Sequence, residues 1–153
     1  MKSLYLALAL LTSVICLSSQ AYAQIELEQF EENGEAMASK MNQLFVVQNP
    51  QVAEFLPEVA WNDGFRASAK CMIDLFRTEG GDDFITQMLA NGKEFVTKEF
   101  TSFTDFQEHA NFMPEGLSQA RQIEISGECG MTKLTIDRIQ GSGFAQALQS
   151  LPE

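Results

Sequence analysis

The chain has 153 residues, 45% of them hydrophobic, and carries 21 acidic against 10 basic side chains, a net charge of −11. That length suits one domain with one core. The acidic excess repels phosphate backbones and anionic lipid headgroups, so nucleic acid and membrane surfaces are not expected partners.

The first segment reads as an export signal. Met1-Lys2 gives a short positive start, Leu4 to Leu17 is apolar except for Thr12 and Ser13, and Ala21 and Ala23 fit the small-x-small pattern before Gln24. The apolar run is shorter than the roughly 20 residues a membrane span needs. Ile15 stands where a small residue would precede a lipid-modified Cys16. We therefore expect residues 1–23 to be a cleaved signal peptide, 24–153 to be a single helical domain, and no stable membrane insertion after cleavage. The remaining 130 residues keep Trp61 and all 12 phenylalanines, with nine basic against 21 acidic residues, a net charge of −12.

From Gln24, the acidic residues Glu26, Glu28, Glu31, Glu32 and Glu35 accompany a helical stripe of Phe30, Met37, Met41, Leu44 and Phe45. Asn49-Pro50 resembles an N-cap followed by proline at the first helical position, and Val52, Phe55, Leu56 and Val59 form a short apolar face. Pro57 either kinks this segment or precedes a new helix.

Trp61 to Gly81 is the central stretch. Trp61, Phe65, Ala69, Met72, Leu75 and Phe76 share one face at about 100° per residue. Asp63, Arg66, Lys70, Asp74 and Arg77 lie opposite, with Lys70/Asp74 and Asp74/Arg77 placed to pair. Gly80-Gly81 supplies a stop, and Asn62-Asp63-Gly64 leaves the start open. A short helix with Phe84, Ile85, Met88 and Leu89 follows, capped by Asp82 or Asp83 and closed by Asn91-Gly92. Lys93 to Met113 carries Phe95, Val96, Phe100, Phe103, Phe106, Ala110 and Met113, with a possible division where Ser102 and Asp105 fit a capping box. Beyond Pro114, two readings compete. One is helical, with Leu117, Ala120 and Ile123, then Met131, Leu134, Thr135 and Ile139 inward. The other is a hairpin over 121–137, pairing Ile123/Ile125 with Leu134/Ile136. Only two apolar pairs support the hairpin, so helices are preferred. Gly141-Ser142-Gly143 precedes a terminal helix bearing Phe144, Ala147, Leu148 and Leu151.

The predicted fold is all-α, a single small domain of five or six helices with one disulfide; the alternative is α+β with the 121–137 hairpin. With Cys16 removed, Cys71 and Cys129 are left to pair. There is no C-x-x-C, and Glu128 beside Cys129 disfavours a reactive thiolate, so a structural role is expected.

Chemistry is thinly marked. His109, the only histidine, lies near Asp105 and Glu108, but one histidine makes no multi-histidine metal site and no serine stands in a nucleophile elbow. Glu79, Asp82 and Asp83 lack the alternating oxygen ligands of an EF-hand. No catalytic residue, metal site or cofactor is expected, and the chain is not read as an enzyme.

The anomaly is twelve phenylalanines and six methionines after position 23. They suit a core, and also an adaptable apolar cavity or partner surface with Phe95, Phe100, Phe103, Phe106 and Phe112 as lining. The expectation is a non-catalytic binding protein of the periplasm or cell exterior that engages a protein partner, one of basic character being compatible with its charge. The alternative is a carrier of a small apolar ligand.

Overall fold

The computed structural model describes the backbone of residues 2–151 and the side chains of residues 22–151. The expected signal peptide thus lies, except for Tyr22 and Ala23, outside the described side chains. The fold is all-α. Helix α1 spans Lys2–Gln48, and a 3-10 turn covers Pro50–Phe55. Then come α2 (Asp63–Gly80), α3 (Asp82–Thr97), α4 (Phe103–His109), α5 (Gln119–Glu128), α6 (Met131–Gly141) and α7 (Phe144–Gln149). Among the described residues, seven α-helices and one 3-10 turn stand where about five or six helices were expected. The 93–113 stretch divides between the end of α3 and a separate short α4, and the Pro50 segment is a 3-10 turn. No strand occurs among the described residues, and 121–137 is α5 and α6 rather than a hairpin. Gly130, at φ 79°, turns the chain between them, a left-handed conformation that favours glycine.

Local signals explain most boundaries. The Asn62 side chain accepts from the Phe65 amide at 3.1 Å, so α2 begins after Trp61 instead of including it. Gly81, at φ 84°, separates α2 from α3. The Ser102 hydroxyl caps α4 by accepting from the Asp105 amide, while the Asp105 carboxylate accepts from the Thr101 amide rather than from Ser102.

The expected stop at Asn91-Gly92 does not exist: α3 runs on to Thr97. Gly92 serves another purpose. A Cβ there would lie 2.9 Å from Nδ2 of Asn33 on α1, and that nitrogen donates to the Leu89 carbonyl at 3.0 Å. The bare glycine lets a polar side chain of one helix reach the backbone of the next, which satisfies an amide that is only 8% exposed.

Helices α1, α2 and α3 pack against one another, with Met72, Ile73, Phe76, Phe84, Ile85, Met88 and Leu89 at their meeting place and Ile125 of α5 closing it. Burial of these side chains is the principal stabilising contribution, about 1.5–3 kcal/mol for each large one. Ionic ties join the same helices at the rim. Arg66 pairs with Glu31 at 2.7 Å, Arg77 with the buried Glu26, and Arg121 with Glu79 at 2.6 Å. Cys71 of α2 and Cys129, at the end of α5, form the expected disulfide with Cα atoms 5.6 Å apart. The Ser68 hydroxyl donates to the Cys129 carbonyl at 2.7 Å beside it.

Candidate functional site

The five phenylalanines singled out from sequence divide in two. Phe95 is 2% exposed, and its ring lies 5.0 Å from Phe100 and 5.1 Å from Phe106 and from Phe112. Phe106 continues to Phe103 at 6.4 Å, Phe103 to Phe45 of α1 at 4.7 Å, and Phe45 to Phe144 of α7 at 5.0 Å. Edge-to-face and offset pairs at these distances are attractive. The chain of rings is therefore packing that ties α3, α4, α1 and α7 together. Of the five, Phe112 alone also borders the open space between α1, α2, α3 and α5.

That space is a cleft of about 370 Å³ bounded by α1, α2, α3, the 112–113 segment and α5–α6. Phe30, Asn33, Gly34 and Met37 come from α1, Met72 and Phe76 from α2, and Met88 and Gly92 from α3. Trp61 stands just before α2; Phe112 and Met113 close one side. Gln119, Gln122, Ile123 and Ser126 of α5, with Met131 of α6, make the remaining wall. Five methionines thus border one space, and among the described residues no charged side chain does. Thioether chains are unbranched and polarizable, so such a wall adapts to ligand shape. The volume falls inside the range of small-molecule sites, about 300–1,000 Å³.

Trp61 is placed by several elements. Its amide donates to Glu35 Oε1 at 2.7 Å, and its ring lies 6.0 Å from Phe30 and 5.8 Å from Phe65. The preceding strip of chain is held from α6, where the Arg138 guanidinium donates to the carbonyls of Glu58 and Ala60, each at 2.9 Å, and sits 3.9 Å over the Phe65 ring. Across the cleft, α5 is fixed from its outer side. Arg121 pairs with Glu79, Glu124 and Glu128, an arrangement that raises the guanidinium pKa and lowers that of Glu79. The disulfide holds the end of the same helix.

His109 lies outside this lining. Its ring is exposed, with Nδ1 2.8 Å from the Asp105 carbonyl and 3.3 Å from the Asp105 carboxylate. Asp105 titrates below its ordinary value, chiefly because of the hydrogen bond from the Thr101 amide. A larger hollow of about 580 Å³ runs along α1 and α3, but Glu26, Glu32 and Lys93 border it and it has no cluster of aromatic rings. Among the described residues, no group of three His, Cys, Asp or Glu converges as a metal site, and no helix is long and apolar enough to cross a membrane.

Sequence periodicity missed the cleft because its walls are assembled from five separate segments. Gly34 and Gly92 were the available signal: isolated glycines on helical stripes, where a close approach is the usual reason for them. No protein-family model, curated protein or solved structure matches the chain.

Proposed function

We propose that this is an exported, non-catalytic binding protein that holds a small apolar molecule in the methionine-lined cleft. The observation that carries this reading is the convergence of Met37, Met72, Met88, Met113 and Met131 with Phe30, Trp61 and Phe112 on one uncharged space of about 370 Å³. The cleft opens to solvent and its lining is almost wholly apolar, so an apolar ligand seated there would cover surface that water now wets. The volume corresponds to about a dozen liquid water molecules, which an apolar wall holds poorly and a ligand displaces with gain. The disulfide supports an oxidising compartment.

Trp61, the only tryptophan, reports directly on the cleft. Titration with a hydrophobic fluorophore should quench or shift its emission and saturate at one molecule per chain. Native mass spectrometry of the purified protein should show a co-purified mass that organic extraction removes. Linear, non-saturating fluorescence together with no extractable mass would overturn the reading.

A second reading, capture of a basic protein, draws on charge. Arg66, Arg77, Arg121, Lys70, Lys98 and Lys133 pair with carboxylates inside the chain, and Arg138 and Lys40 donate to backbone carbonyls. The acidic excess is therefore what the surface offers a partner. Affinity capture from envelope extract at low and high salt tests it; absence of a salt-sensitive partner counts against it.

A further inference from the structure

The polar groups of the cleft are few and one-sided. Gln119, Gln122 and Ser126 stand three and four residues apart on α5, a spacing that sets them along one helical face, with Ile123 beside them. Among the described residues, the other hydrogen-bonding side chains on the lining are Asn33 on α1 and Trp61, whose indole N–H can only donate. Two of these amides already use a nitrogen internally: Gln122 Nε2 donates to the Leu117 carbonyl at 2.9 Å, and Asn33 Nδ2 to Leu89. Their amide oxygens are left as acceptors. The wall opposite α5 is thioether and aromatic.

Resting on the apolar-ligand reading, we infer that the cleft selects neutral amphiphiles: molecules with an apolar body and one uncharged hydrogen-bond donor, a hydroxyl or amide N–H, laid along α5. A carboxylate or phosphate head finds no cation on the lining, and the net charge of −11 opposes it further. An unsubstituted hydrocarbon leaves the amide oxygens without a donor once water is displaced, which is itself unfavourable. The body should reach between Met72, Met88 and Met131, and the head should remain beside Gln119 and Gln122.

The test is a Trp61 fluorescence titration with 1-decanol and with decanoate at pH 7.5, each at low and at 0.5 M salt. High salt screens the long-range field and leaves the cleft's own selectivity. Decanol should bind at least about tenfold more tightly than decanoate at both salt concentrations. The Gln119→Leu variant, altered at an exposed position, should fold normally by circular dichroism and lose roughly threefold or more of its decanol affinity. Equal affinities for the two compounds, or a preference that vanishes at 0.5 M salt, would overturn the neutral-head inference and leave the apolar-ligand reading standing. An unchanged decanol affinity in Gln119→Leu and likewise in Ser126→Ala would overturn the role of α5. No response to either compound would remove both readings.

Discussion

Trp61 lays its indole against the bare backbone of Gly34, so closely that a Cβ there would lie 2.5 Å from Cζ2 of the ring. Gly34 is inside α1, where alanine would ordinarily gain about 1 kcal/mol in helix propensity. The clash should outweigh it, because overpacking costs about 1–3 kcal/mol and the atom in the way belongs to a rigid ring. Gly34→Ala is therefore expected to be neutral to destabilising in urea and to displace Trp61. A shifted emission maximum is the check. A stabilised variant with unchanged emission would show that the contact is looser than described.

The same pair marks what the sequence could and could not disclose. Apolar spacing identified the helices that now form α2, α5, α6 and α7, because burial on one face imposes that period on any helix. Elimination identified the disulfide. Gly92 misled because its composition signals a stop, whereas contact with Asn33, 59 positions away in sequence, decides its role. The pairing of buried Glu26 with the partly exposed Arg77 was equally hidden, since the acidic stretch of α1 shows no partner until α2 is placed against it. Of the five phenylalanines, four belong to a packing chain and one to the cleft. Spacing alone does not separate those roles.

Cys71 and Cys129 close a long loop, with a sequence separation of 58. In the chain-entropy description such a link is worth about 4 kcal/mol. The double replacement Cys71→Ser with Cys129→Ser should lower the unfolding free energy by about that amount, with the helical content retained at 25 °C. Because Cys129 ends α5, the wall of the cleft should loosen first. Hydrogen exchange should show faster opening of Gln119–Glu128 than of α3, and uniform protection of both would contradict the assignment.

Acid should act through Glu79. The Arg121 guanidinium holds its carboxyl below the ordinary value of 4.5. A carboxylate with a depressed folded pKa contributes stability that is present above its unfolded pKa and is lost as pH falls through the folded one. The urea midpoint should therefore decline from about pH 4.5 downward. Asp105, lowered by the Thr101 amide, adds to the same limb. Glu79→Gln should flatten the decline and reduce the midpoint at pH 7. The arginine shifts are upward, so those ion pairs lose their cationic partner only in strong alkali. A midpoint independent of pH between 6 and 3 would exclude this coupling.

Phe95 and Phe112 lie ring to ring at 5.1 Å, yet their replacements should have different consequences. Phe95 is almost wholly buried among three other rings, so Phe95→Ala leaves a cavity and should cost about 3–5 kcal/mol. Phe112 is half-buried and borders the cleft, where the space left by truncation opens onto a hollow already present. Phe112→Ala should cost less stability than Phe95→Ala and should reduce the affinity of an apolar probe, because contact area is removed from the binding wall. Urea unfolding and probe titration on both variants separate the two roles. If Phe95→Ala weakened the probe as much as Phe112→Ala did while remaining equally stable, the packing chain would itself be part of the binding surface.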